Sequence, residues 1–177
     1  MTTQQKTKIL KTTCLSAIDD STLQQIIGID KPMMRSAFNE WVRREGQRAK
    51  EKVIVKKSQD AYRAISPVYF GLEVEHFYAI YLTRSNTIIA IRQISKGGIN
   101  GTLADPRIIF KNAIELNASA IILSHNHPSG TLKPSETDLD LTRKISSGAS
   151  LLDIKVLDHI IVADNSYYSF ADEGNIL

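Results

Sequence analysis

An α/β sandwich is the fold this sequence predicts, with helices laid against a sheet rather than wound alternately through it. Three observations predict it. Two apolar runs, residues 77–82 and 87–94, flank the polar turn Thr83-Arg84-Ser85-Asn86, as a β-hairpin requires. The run Ala120-Ile121-Ile122-Leu123 reads as a buried strand. Asp105-Pro106 and Pro134-Ser135 each open a stretch with apolar residues at helical spacing. Helices mixed with hairpin-joined strands argue against a doubly wound parallel sheet.

Composition narrows the function classes. A chain of 177 residues with 42% hydrophobic and 23% charged residues can bury one ordinary core and carry a short appendage. No apolar run reaches bilayer length, and MTTQQKTKIL lacks a secretory apolar core. A cytoplasmic location and no membrane partner are therefore expected. Cys14 is the only cysteine, which excludes an intrachain disulfide and zinc held by several thiolates. Any metal must be held by histidine and carboxylate, a donor set suited to catalysis. Charge is unevenly placed. Residues 1–60 carry 12 Lys and Arg against 7 Asp and Glu, and residues 61–177 carry 10 against 12. A basic arm of this kind can touch nucleic acid, or it can simply be a solvated helical surface.

In chain order, residues 1–14 carry no periodic signal. Asp19, Asp20, Ser21 and Thr22 offer caps for a short helix over 23–27, and Lys31-Pro32 begins a longer one. There Met34, Phe38, Trp41 and Val42 form a packing stripe, and residues 45–50 read as a linker. This divides the chain into a helical, basic extension over 1–50 and a domain over 51–177. Val53-Ile54-Val55 suggests a short strand; Ser58 is the expected N-cap of a helix over 59–65 that Ser66-Pro67 ends. The hairpin follows, then a loop at Gly97, Gly98 and Gly101. The helix begun by Asp105-Pro106 turns Ile108, Ile109, Ala113, Leu116 and Ala120 inward. A helix from Ser135 to about Gly148 closes on that glycine. Residues 151–163 read as two short strands around Leu157-Asp158, and Tyr167, Tyr168 and Phe170 supply a last one.

The chemistry concentrates in IILSHNHPSGTLKPSETD, residues 121–138. His125 and His127 share one side of an extended segment, because strand side chains alternate. Pro128, Ser129 and Gly130 turn the chain, and Asp138 falls in the first turn of the next helix. Two imidazoles, one carboxylate and an open position for water make a catalytic zinc site. Duller readings exist for each part. The histidines can be isolated polar groups at a strand end, and Ser135-x-x-Asp138 is also a capping box. Hydrolysis further needs a proton acceptor that is not a ligand. Glu73 and Glu75 precede the hairpin strand on a shared face, Glu75 nearer the strand; either can be a solvated strand-end charge.

At this point the residues resemble a family. His125-x-His127, seven residues, Ser135, two residues and Asp138 is the JAMM motif of MPN/JAB metalloproteases, with a glutamate on an earlier strand. HNHPSG and PSETD, with EHF upstream and LDHIIV downstream, resemble the RadC-like branch over residues 58–177. The resemblance implies an MPN/JAB-like (cytidine-deaminase-like) mixed sheet flanked by helices. It implies zinc on His125, His127 and Asp138, Glu75 as general base and acid, and Ser135 as a donor to the oxyanion of the tetrahedral intermediate. The Asp158-His159 pair fits a family pair read here as structural. Longer relatives resemble a helix-hairpin-helix module followed by this domain. Residues 26–45 look like a degenerate remnant, in which Asp30 replaces the second glycine and sets negative charge where phosphate would lie.

The expected function is a zinc-dependent metallopeptidase that cleaves peptide or isopeptide bonds, with a peptide or protein as substrate. The alternative is a DNA-repair-associated, nucleic-acid-binding accessory protein whose metal site is not peptidolytic. A domain that has lost catalysis is the third reading, against which the complete five-residue set speaks.

Overall fold

A computed structural model describes residues 53–97 and 104–176. The helices expected over 23–27 and from Lys31, the linker over 45–50, and Gly98 and Gly101 lie outside the described residues. Three helices and five strands follow in the order α1 (Ser58–Tyr69), β1 (His76–Leu82), β2 (Ile88–Lys96), α2 (Pro106–Glu115), β3 (Ala120–Asn126), α3 (Glu136–Ser150), β4 (Lys155–Ala163) and β5 (Ser166–Ser169). The strands form one sheet in the order β2-β1-β3-β4-β5. Only β3 and β4 run parallel. The sheet is therefore mixed and flanked by helices, as expected.

β3 is central because its sequence suits no other place. All seven of its residues are buried, so both of its faces must be covered. Alternation then sorts the core. Ile121 and Leu123 join Phe77, Ala79 and Tyr81 beneath α2 and α3, with Ile109, Ala113, Ile145 and Ala149. Ala120 and Ile122 join Ile80, Leu82, Ile160 and Val162 beneath α1, with Ala61 and Ile65. By the same parity His125, opposite Phe77, points to the α3 side. Among the described residues no helix is long and apolar enough to cross a membrane.

Several local expectations are corrected. Residues 53–55 contribute a single bridge, Ile54 to Thr87, not a strand. The first helix starts one residue earlier and runs past Pro67 to Tyr69. Ser58 is not its cap: the Asp60 carboxylate accepts from the Lys56 and Lys57 N–H groups (3.0 and 3.2 Å), while the Ser58 hydroxyl donates to Asp172 (2.6 Å). Pro67 lies inside the helix, in its last turn, where it forgoes the N–H bond to the Arg63 carbonyl and its own carbonyl accepts from Phe70 N–H (3.4 Å). In α2, Asp105 caps and Pro106 leads as expected, but Ile108 is exposed and Ala120 already belongs to β3.

The two strands expected over 151–163 are one, β4, carrying a bulge. Ile121 pairs with Val156 and Ile122 with Asp158, so Leu157 is the extra residue. The bulge shifts the alternation by one and turns His159 to the α3 side.

Gly148 does not close its helix, which continues to Ser150. A Cβ at that position would lie 2.9 Å from the Phe110 ring, so the missing side chain lets α2 and α3 approach. Gly148→Leu is expected to cost about 1–3 kcal/mol by overpacking, measured as a lower urea midpoint with an unchanged slope.

Candidate metal centre

Three side chains converge at the C-terminal end of β3. Nitrogens of His125 and His127 and a carboxylate oxygen of Asp138 all lie within 4.8 Å of one another. Nε2 of His125 is 2.8 Å from Nε2 of His127 and 3.3 Å from Asp138 Oδ1; His127 Nε2 is 3.8 Å from Asp138 Oδ2. Each side chain is delivered by a different local device. His125 is a fully buried strand residue whose ring stacks near-parallel on Phe77, centroids 5.8 Å apart. His127 follows the strand, tied by its N–H to the Val162 carbonyl (2.9 Å). The turn beyond it closes through Gly130 N–H to the His127 carbonyl (3.0 Å). Glycine is favoured there by a φ of +80°, and a Cβ would lie 3.2 Å from Asp164 Oδ2, which would have to give way by a few tenths of an ångström.

Asp138 is placed by the capping box, and that box does not compete with the cluster. Ser135 N–H and hydroxyl donate to Asp138 Oδ2 (2.8 and 2.6 Å), and Asp138 N–H donates back to Ser135 Oγ (3.2 Å). One carboxylate oxygen serves the helix start; the other faces His125. The capping box is thus compatible, in one geometry, with an Asp138 oxygen that faces His125. In it the Ser135 hydroxyl belongs to the cap.

Of the two candidate glutamates, Glu73 is exposed and Glu75 half-buried. Burial raises the Glu75 carboxyl above its ordinary range, the nearby His127 opposes that shift, and the nearby Asp138 adds to it. The same two residues that flank His125 therefore act on Glu75. Its backbone is fixed by a residue that sequence reasoning passed over. Asn126, between the two histidines, accepts from His76 N–H (2.8 Å) and donates to the Val74 carbonyl (3.1 Å), bracketing Glu75 from both sides. A polar amide at the end of a wholly buried strand was the available signal.

The Asp158-His159 pair needs a correction. Asp158 is structural as expected: it accepts from its neighbour's N–H, from Ser169 Oγ and from Ala171 N–H (2.7, 2.7 and 3.0 Å). His159 is not structural alone, since its Nε2 lies 2.9 Å from His125 Nδ1. Its ring stacks on Phe170, which Asp158 holds in place through the chain on either side. On its far side His159 Nδ1 meets Thr142 Oγ1 at 2.7 Å.

The donor set fits a small divalent cation. Nitrogen and carboxylate oxygen are zinc's ligands outside thiolate sites. His127 Nδ1 can only donate to the Thr131 carbonyl at 2.8 Å, which leaves Nε2 as the ring atom that faces the cluster. His125 is held neutral: desolvation lowers its pKa to about 4, against the raising effect of Asp138. Each of the three side chains is thus gripped from behind, as metal ligands are.

Residues 55–175 match the RadC-like JAB domain. A UPF0758 protein of Flavobacterium johnsoniae is 45% identical over 131 residues, 72% of this chain and 57% of the relative. One from Porphyromonas gingivalis is 47% identical over 118 residues, 66% and 52%. A more distant one, from Shouchella clausii, is 32% identical over 166 residues, 90% and 72%. The chain spans about half the length of the first two. Every strand and helix of the described domain, and each side chain that meets at the end of β3, falls within the matched stretch, and the chain belongs to the RadC-like JAB domain family.

Proposed function

We propose that this domain is a zinc-dependent metallopeptidase of the JAMM type, acting on peptide or isopeptide bonds. The observation that supports it most is the convergence of His125, His127 and Asp138, with Glu75 immediately before the neighbouring strand β1 and within electrostatic reach of His127 and Asp138. Those three residues would hold the zinc. Bound there, zinc supplies Lewis acidity, which polarises a carbonyl and brings the pKa of water toward neutrality. The chain's own residues do the rest. Glu75 takes the proton of the attacking water on its carboxylate, where a raised pKa suits it to both halves of the transfer. It then passes that proton to the leaving amine nitrogen. Ser135 would turn its hydroxyl from Asp138 to the oxyanion, a donor aimed where charge develops. His125 is buried and stays neutral, so it orients without taking part in proton transfer.

A second reading keeps the metal site and adds nucleic acid as partner, resting on the basic composition of residues 1–60. It requires binding to DNA that falls steeply with salt, because neutralised phosphates release counterions.

Metal analysis of purified protein beside His127→Ala tests the first reading. Wild type should carry about one zinc per chain and the variant none, as expected when one of three protein ligands is lost. The same proteins incubated with a peptide library, read by mass spectrometry, should show new termini with the zinc-loaded wild type alone. A wild type that takes up no zinc defeats the proposal.

A further inference from the structure

Glu75 stands one residue before β1, where pairing with β3 has already stopped. That ladder ends with Phe77 opposite His125, and no rung of it reaches Glu75. Beyond this point the β3 chain leans on β4 alone, with His127 N–H on the Val162 carbonyl (2.9 Å). The Asn126 side chain takes over where the backbone leaves off. Its Oδ1 accepts from His76 N–H (2.8 Å) and its Nδ2 donates to the Val74 carbonyl (3.1 Å). Those two groups belong to the two peptide planes that meet at the Glu75 Cα. Peptide groups are planar, so holding both planes fixes φ and ψ at residue 75, and with them the direction of its Cα–Cβ bond. Gly97 N–H adds a third hold, on the Glu75 carbonyl (2.8 Å).

The residue type at 126 follows from this span. It asks for an acceptor and a donor side by side, which a carboxamide offers in one plane. Only one orientation of the amide serves, because a carbonyl cannot donate and an N–H group cannot accept. Asn126 is itself buried and paired with Val162 in the β3–β4 ladder, so the bracket stands on the centre of the sheet. Both of its bonds go to backbone before and at the start of β1, and neither goes to an imidazole.

We propose that Asn126 is a positioning residue for hydrolysis: it aims the Glu75 carboxylate at the His125, His127 and Asp138 cluster and takes no part in holding the metal. The inference rests on the metallopeptidase reading, in which Glu75 accepts the proton. Without the bracket, Gly97 alone of these three contacts remains, and φ and ψ at residue 75 relax. A reacting group misplaced by about 1 Å costs on the order of 10²-fold in rate.

The test uses Asn126→Leu, which keeps the branched shape and removes both bonds, and Asn126→Ser, which leaves room for water at the two backbone groups should the leucine variant fail to fold. In NMR of the metal-free full chain, the Glu75 Cα and Cβ shifts report its φ and ψ and should move in both variants. Zinc content should stay at the wild-type level. Peptide cleavage should fall about 10- to 100-fold in kcat with KM unchanged. In a Glu75→Gln background the same substitutions should cost no further activity, since a residue that acts only through Glu75 has nothing left to position. A merely structural asparagine would lower activity in both backgrounds, and that result overturns the proposal. Unmoved Glu75 shifts, or loss of zinc from Asn126→Ser, overturns it equally. A zinc-loaded wild type that cleaves nothing defeats the metallopeptidase reading and this inference with it; a wild type that cleaves, with variants that match it, defeats the inference alone.

Discussion

Glu75→Gln is expected to reduce peptide cleavage by about 10²- to 10⁴-fold, the contribution of a positioned general base, while zinc content stays at the wild-type level. The amide matches the carboxylate in size and keeps the backbone between Val74 and His76 in the Asn126 bracket, so the site should not rearrange. What is lost is the only proposed proton acceptor. The pH dependence follows from the raised pKa of this carboxyl, caused first by desolvation. In wild type the rate should climb as Glu75 ionises, on an acid limb lying above the ordinary carboxylate range. Linkage gives a second readout with the opposite sign. A carboxyl whose folded pKa is raised lends stability below its unfolded pKa and forfeits it as pH rises through the folded value. At neutral pH the charged Glu75 therefore costs the metal-free fold stability, and Glu75→Gln should melt no lower than wild type. Loss of zinc in this variant would instead make Glu75 a ligand and remove the proposed base.

The local part of this site was legible in the sequence, and the distant part was not. His125, His127, Ser135 and Asp138 lie within fourteen positions, and each is placed by a rule of short range: strand alternation, a Pro-Ser-Gly turn, a capping box. Glu75 was legible mainly through resemblance. Its place nearer the strand is the one local feature that separates it from Glu73; what brings it to the site is β1 pairing with β3, which sets residue 77 opposite residue 125. The contributions of Asn126 and His159 depend on contacts 50 and 34 residues away, and that of Thr142 on one 17 away. Two of the mistaken local readings share one cause. Gly148 and Leu157-Asp158 each carry a local breaker signal that tertiary packing overrides: an aromatic ring filling the absent side chain, a bulge within a longer strand.

Asp138 serves the helix and the cluster with different oxygens, and two substitutions should separate those services. In Asp138→Asn the side-chain oxygen can still accept from Ser135 N–H, while an amide NH₂ replaces the anionic oxygen 3.3 Å from His125 Nε2. In Asp138→Ala both are gone. Zinc should fall from about one per chain to none in both variants, since each removes one of three protein ligands. Both also lose a negative charge from the first turn of α3, so that contribution cancels when the two are compared. The metal-free alanine variant should be less stable than the asparagine variant by about 0.5–1.5 kcal/mol, the net contribution of the one hydrogen bond from Ser135 N–H to the side-chain oxygen at position 138. Added zinc then isolates the second service. At a free concentration of about 100 times its Kd, zinc should stabilise wild type by about 2.7 kcal/mol and leave both variants unmoved. Equal metal-free stabilities would mean that the capping box contributes nothing to α3. A zinc-dependent gain in Asp138→Asn would mean that the two imidazoles hold the ion without the carboxylate, leaving Asp138 as a helix cap and nothing more.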